Sequence, residues 1–205
     1  MMRLIVGISG ASGTVYGVRL LEVLKNSPIE THLVMTSATR RVINLETGFT
    51  VEGIEALADE VHDNRDVGAA IASGSFKTNG MVVAPCSMKS LSAIAHSYND
   101  TLIIRAADVV LKEGRKLVLV ARETPLHLGH LRLMTQVVEM GAVMLPPMPS
   151  FYHRPETLDD IVDQTVGKVL DQFDIDHQLF RRWEGTTIRR RTLDEERSVR
   201  ITPRE

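Results

Sequence analysis

Five short segments carry the side chains that could do chemistry. The first is Gly7-Ile8-Ser9-Gly10-Ala11-Ser12-Gly13, with glycines at every third position between an apolar run and a helix-period segment. Closely spaced glycines let backbone amides approach an anion, and the start of the following helix adds about 0.3–1 kcal/mol of favourable interaction with it. The segment lacks the lysine of a phosphate-binding P-loop and does not space its glycines as G-x-G-x-x-G. The second apolar run ends in Thr36-Ser37, not in the acid that holds a ribose diol in dinucleotide sites. Hydroxyls there suit a phosphate or a flavin-type ligand, the plain alternative being a tight strand-to-helix turn. The second segment is Pro85-Cys86-Ser87-Met88-Lys89-Ser90. Ser87, Ser90 and the amides of a helix start offer a second edge for an anion or a ring, and Lys89 adds charge. Cys86 reads as a buried, inert thiol, since no histidine nearby in sequence is placed to activate it.

Arg105, Asp108 and Lys112 form the third group, at i, i+3 and i+7 on one helix face, as a solvated salt-bridge stripe or as a charged site. The fourth is Arg122-Glu123-Thr124-Pro125, where an Arg paired with a Glu at a strand end could hold a phosphate and shuttle its proton. The fifth spans residues 146–155, with four prolines, Phe151 and Tyr152. Such a segment is stiff and extended, with Phe151 as loop packing and Tyr152 able to present a hydroxyl to a ligand. His127 and His130 have a metal-pair spacing but no third ligand, and read as surface or interface histidines.

These segments need a scaffold, and the apolar pattern supplies one. Continuous apolar runs at 4–8, 31–35, 81–84, 117–121 and 143–145 alternate with helix-period stretches at 15–25, 38–45, 89–95, 106–113 and 127–140. A last helix over 158–173 follows a capping sequence, Thr157 with Asp160 three residues on. Apolar strands alternating with amphipathic helices predict an α/β fold, a doubly wound, Rossmann- or flavodoxin-like, mostly parallel sheet covered on both faces. Such sheets bind ligands outside the carboxyl ends of their strands, where all of these segments except the 105–112 stripe fall.

Composition narrows the class further. The 205 residues suit one domain, burying about 70% of the unfolded chain's surface on folding. With five Phe, three Tyr and one Trp, the core has to be chiefly aliphatic, with most of these aromatics expected to join it. A single cysteine excludes a disulfide scaffold, and no Cys and His set has zinc spacing, so a reducing, cytoplasmic setting and no metal are expected. The first residues read as a strand and not as a secretion signal, and no stretch approaches 18 uncharged apolar residues. A formal charge of −2 gives no reason to expect nucleic acid. That charge is uneven, because residues 181–205 hold eight Arg and five acids. A domain over 1–180 followed by a basic tail, mobile or facing an oligomer partner, is the expected organisation.

Taken in order, LIVGISGASG at 4–13, THLVMTS at 31–37, LETGF at 45–49, SGSF at 73–76, PCSMKSLS at 85–92, RAADVVLKEGRKLVLVARETPL at 105–126 and PPMPSFYHRPETLDD at 146–160 resemble the flavin prenyltransferases of the UbiX type. The resemblance spans about residues 3–173, and HLGHLRLMTQ at 127–136 is similar to the branch that serves ubiquinone biosynthesis. It implies a homo-dodecamer that joins the dimethylallyl group of dimethylallyl phosphate to N5 and C6 of reduced FMN without a metal. The prenylated FMN then serves a separate UbiD-type decarboxylase. It implies FMN contacts at Gly10, Ala11, Ser12, Thr36, Ser87, Met88, Lys89, Ser90 and Arg122, with Thr36 standing where the pattern usually has Ser. It implies that Arg105, Lys112, Arg122, Tyr152 and Lys168 hold the prenyl phosphate at a site shared between subunits, Lys168 replacing a frequent Arg. Ser12, Glu46 and Glu123 would handle protons. Two rival readings are an FMN-binding cysteine decarboxylase and a non-catalytic FMN-binding subunit of a hydroxyarylic acid decarboxylase. The first is disfavoured by PCSMKS where those enzymes carry a PASANT-type segment.

Overall fold

A computed structural model describes residues 1–185 of the chain. In chain order the elements are β1 (Met2–Ile8), α1 (Thr14–Lys25), β2 (Ile29–Met35), α2 (Ser37–Glu46), α3 (Val51–Glu55), β3 (Glu60–His62), β4 (Gly80–Cys86), α4 (Met88–Ala95), α5 (Leu102–Lys112), β5 (Lys116–Ala121), α6 (Leu128–Glu139), β6 (Val143–Met144) and α7 (Leu158–Asp171). A short 3-10 turn, Ala70–Ala72, precedes β4. The strands form one sheet in the order β3-β2-β1-β4-β5-β6, and every pairing is parallel. This is the strand order of a doubly wound nucleotide-binding sheet, reversing direction between β1 and β4.

Side chains alternate across each strand, and both faces are apolar, which is why the strands read as unbroken runs. Leu4, Val6 and Ile8 of β1 pack with Leu21 of α1 and Val166 of α7 on one face. Ile5 packs with Leu91 of α4 and Ile103 of α5 on the other. α1 lies close on β4 because Gly17 allows it: a Cβ there would sit 2.3 Å from the Ala84 carbonyl oxygen. Thr157 and Asp160 form the expected capping box at the start of α7.

Several boundaries differ from expectation for physical reasons. β3 is a three-residue edge strand, Glu-Val-His, paired only with β2, and so carries no apolar run to announce it. α5 starts at Leu102, four residues before its expected start, because Leu102, Ile103 and Ile104 are all buried. Burial there overrides the weak helix preference of β-branched residues. The aromatics also depart from expectation. None of the nine is fully buried, and Phe151 is 70% exposed, so the core is aliphatic throughout. Among the described residues no helix is long and apolar enough to cross a membrane. Of the basic tail, only residues 181–185 are described, and residues 186–205 lie outside the described ones.

Candidate functional site

At the switch point β1 and β4 run side by side, and the loops that follow them part to opposite faces of the sheet. Ser9, wholly buried, joins these loops. Its hydroxyl donates to the Pro85 carbonyl at 2.9 Å and accepts the Ser87 amide at 2.7 Å. Its own amide donates to the same carbonyl at 3.1 Å. Thr39 plays the matching part toward β2. Its buried hydroxyl donates to the Ile8 carbonyl at 2.6 Å, and the Thr36 amide reaches that carbonyl at 3.1 Å. With its one proton spent on Ile8, the Thr39 oxygen accepts from the Thr36 hydroxyl at 2.9 Å. A hydroxyl residue directly after an apolar run and before a glycine-rich loop is the signal in sequence that marks Ser9, which is not among the expected site residues. Nothing local singles out Thr39.

Thr36 and Ser87 are helix N-caps, their oxygens accepting the amides of Thr39 and Ser90 at 3.4 and 3.3 Å. The Ser87 hydroxyl is turned toward Ser90 as well, at 3.2 Å. At this end the two residues therefore offer mainly the first amides of α2 and α4, which have no intrahelical acceptors. Gly10 lies against the first turn of α2, where a Cβ would come within 2.3 Å of Ala38 Cβ. Gly10, Ala11, Ser12, Thr36, Ser87 and Met88 thus lie just beyond the carboxyl ends of β1, β2 and β4, with Ser90 buried in the first turn of α4.

The start of α1 behaves differently from the sequence expectation. Glu46, at the end of α2, reaches across and accepts the amides of Gly13 and Thr14 at 2.8 and 3.2 Å. The protein's own carboxylate thus takes the anion position at this helix start, leaving the starts of α2 and α4 as the open ones. Lys89 is likewise drawn away from the crevice, to Asp100 in the loop before α5, at 3.3 Å.

β5 ends beside Cys86 of β4 and so delivers Arg122 to the same crevice. The Arg122 amide donates to the Cys86 carbonyl at 3.1 Å, and its guanidinium Nε donates to the Ser12 carbonyl at 3.1 Å. The expected Arg122–Glu123 pairing is replaced by this contact, while Glu123 accepts the Thr124 amide at 3.1 Å and remains exposed. Burial pushes the Cys86 thiol up to about 12, so it packs and does not attack.

The other four cationic or hydroxyl candidates lie elsewhere in the chain. Arg105 pairs with Asp108 at 3.1 Å and donates to the Ala72 carbonyl, also at 3.1 Å. α5 and α7 run antiparallel to the strands, which carries their last turns to the amino ends of the sheet. Lys112 pairs there with Glu113, beside Gly74 in the segment leading into β4. Lys168 pairs with Asp171 at 3.3 Å, and Phe173 just beyond lies against Gly80, the first residue of β4. Tyr152 meets Trp183 edge-on at 5.8 Å. One chain therefore assembles the crevice with Arg122 and Glu123 but not the whole cationic set. His127 is the N-cap of α6, its Nδ1 accepting the Gly129 and His130 amides, and it stacks on His130 at 3.6 Å. Among the described residues no group of three His, Cys, Asp or Glu is placed to hold a metal.

The chain is similar to known proteins over most of its length. The profile of the Flavoprotein family matches residues 1–172. The flavin prenyltransferase UbiX of Escherichia coli (strain K12) is 64% identical over 188 residues, covering 90% of this chain and 100% of the relative. A crystal structure of AnUbiX (PadA1) in complex with FMN and dimethylallyl pyrophosphate superposes with a TM-score of 0.89 at 48% identity, covering 90% of this chain and 98% of that one. A dodecameric FMN-dependent UbiX-like decarboxylase from Escherichia coli O157:H7 superposes with a TM-score of 0.88 at 54% identity, covering 90% of this chain and 100% of that one.

Proposed function

The chain belongs to the Flavoprotein family, in its UbiX-type flavin prenyltransferase branch, and from that membership and the geometry of the crevice we propose that it prenylates reduced FMN with a dimethylallyl phosphate donor. The observation that carries the reading is the switch-point crevice. There the starts of α2 and α4, the close approach of Gly10 to Ala38 and the Arg122 contact with Ser12 fall at neighbouring strand ends, with Glu123 next in sequence.

The residues present fit a flavin mononucleotide. Two helix starts and Arg122 suit a phosphate group, and loop 10–12 and the first turn of α4, locked together through Ser9, form an edge for a planar ring system. When bound, reduced FMN supplies N5 and C6 as the positions to which the five-carbon group is joined. The chain's own residues supply the rest. Arg122 binds phosphate oxygens and, with further cations, stabilises the charge that builds on them as the allylic carbon departs. Glu123 holds a proton for the leaving phosphate, whose released dianion is basic enough to take one back from the ring. Glu46 fixes the Ser12 loop through the Gly13 and Thr14 amides and stands beside Ser12 for proton traffic.

Arg105, Lys112, Tyr152 and Lys168 complete the donor site from a neighbouring copy in a homo-oligomer. This is supported by the local pairings of Arg105, Lys112 and Lys168 in one chain, none of which involves Arg122, and by the dodecameric relative. The product goes to a UbiD-type decarboxylase, and the enzyme works in the cytoplasm. Residues 1–180 form the catalytic domain, to which the start of the basic tail adds Arg182 and Trp183 contacts. Purified protein mixed with reduced FMN and dimethylallyl phosphate tests the reading. A flavin mass increased by one five-carbon unit supports it. An unchanged flavin returns the non-catalytic binding reading.

A further inference from the structure

Asp171, in the last turn of α7, gathers three side chains. Arg182 donates to both carboxylate oxygens, 2.7 Å to Oδ1 and 3.2 Å to Oδ2. His177 Nε2 lies 3.1 Å from Oδ1, and Lys168 Nζ lies 3.3 Å from Oδ2. Burial pushes the Asp171 carboxyl up, but the hydrogen bonds from Arg182, His177 and Lys168 outweigh it and hold the group below the usual carboxylate range.

The three partners do not compete equally. A guanidinium matches both oxygens of a carboxylate with a rigid fork, whereas an ammonium is a mobile point charge on a flexible stem. Arg182 is the tightest partner of Asp171, and Lys168 is the longest contact, with its side chain 47% exposed against 17% for Asp171. The residue after Arg182 is Trp183, whose ring meets Tyr152 edge-on. Residues 177–183 therefore touch Tyr152 directly and Lys168 through Asp171, two residues assigned above to the prenyl phosphate.

We propose that Arg182 is a positioning residue for prenyl-donor binding: by satisfying Asp171 it releases the Lys168 ammonium to the donor phosphate. The inference rests on the prenyltransferase reading and on Lys168 meeting the donor. With Arg182 in place, the Lys168–Asp171–Arg182 group carries one net positive charge toward an incoming dianion. Without it, Asp171 keeps Lys168 as its principal counter-ion and the group is neutral.

Steady-state kinetics on the full chain at saturating reduced FMN, varying dimethylallyl phosphate, provide the test. The variants are K168M, R182M, D171N and D171N/R182M, with FMN binding and thermal midpoint measured for each. K168M raises KM for the donor at least about tenfold, the loss expected for a charge-assisted contact. R182M raises it about threefold to fivefold, in the range of a half-exposed ion pair, with kcat and FMN affinity unchanged. D171N leaves KM at or below that of the parent, and D171N/R182M returns to within about twofold of D171N, because Lys168 no longer has an acid to neutralise it. A purely structural docking role for residues 177–183 does not predict that rescue. A double variant that stays as weak as R182M therefore overturns the proposal. A raised KM in K168M with none in R182M overturns it alone, and an unchanged KM in K168M removes the donor assignment and the proposal together. R182K keeps the charge on a single contact, and its intermediate KM decides the matter if R182M does not fold.

Discussion

Ser9→Ala removes one oxygen from the seam between the loop after β1 and the start of α4, and the structure sets the size of the effect. The Ser9 hydroxyl makes two hydrogen bonds, to the Pro85 carbonyl at 2.9 Å and from the Ser87 amide at 2.7 Å. The Pro85 carbonyl keeps a partner after the change, because the Ser9 amide donates to it at 3.1 Å. The Ser87 amide does not, and it lies half-buried at the start of α4. One orphaned donor of this kind costs about 1–2 kcal/mol, the lower part of the range for buried polar groups. For a chain of this size that corresponds to a fall in thermal midpoint of about 2–8 °C. The same loss lets the start of α4 drift from the 10–12 loop, so FMN binds about fivefold to tenfold more weakly in a fluorescence titration. Ser12→Ala, three residues away on the exposed rim, serves as the control and leaves the midpoint in place. A Ser9→Ala midpoint within about 1 °C of the parent, with unchanged FMN affinity, would refute the view that this hydroxyl holds the crevice together.

Three further outcomes are expected. Glu123→Gln retains FMN but slows formation of the prenylated product by about a hundredfold or more, read from the cofactor's absorbance change, and full activity removes Glu123 from the proton path. Burial pushes the Cys86 thiol from its ordinary 9.0 up to about 12, so above pH 9 the unfolded chain gives up its proton first and stability falls as pH rises toward 12. Denaturant titrations at pH 10 should accordingly show about 1.4 kcal/mol lost relative to pH 8 in the parent but not in Cys86→Ala, and equal losses in both contradict the assignment. Gly17→Ala, whose new methyl meets the Ala84 carbonyl at 2.3 Å, forces α1 off β4 and costs about 1–3 kcal/mol in the same assay, whereas an unchanged midpoint shows that the helix is free to shift.

How much of this was legible in advance depends on how local the cause is. The five apolar strands and the capping box at Thr157 follow rules that act over a few residues, and they stand where the pattern put them. β3 escaped because an edge strand of three residues needs only a partner, β2, and no apolar signature. The place of Arg122 was readable because the residue directly after a buried parallel strand emerges at that strand's carboxyl end. The directions of Lys89 and Glu46 were not, since each is set by a partner 11 or 33 residues away.

The sequence by itself determined the α/β class, the candidate residues at the sheet's carboxyl edge and, through shared motifs, the flavin prenyltransferase family, because periodicity, glycine spacing and strand-end residues are local properties of the chain. Only the tertiary structure decided which charges reach that edge. It placed the Glu46 carboxylate on the start of α1, buried Ser9 as the link between β1's loop and α4, sent Lys112 to the opposite end of the sheet and set Lys168 against the 143–148 segment beside Asp171. The reason is that a long side chain goes where its nearest counter-charge and the direction of its helix allow, and both depend on segments far apart in sequence.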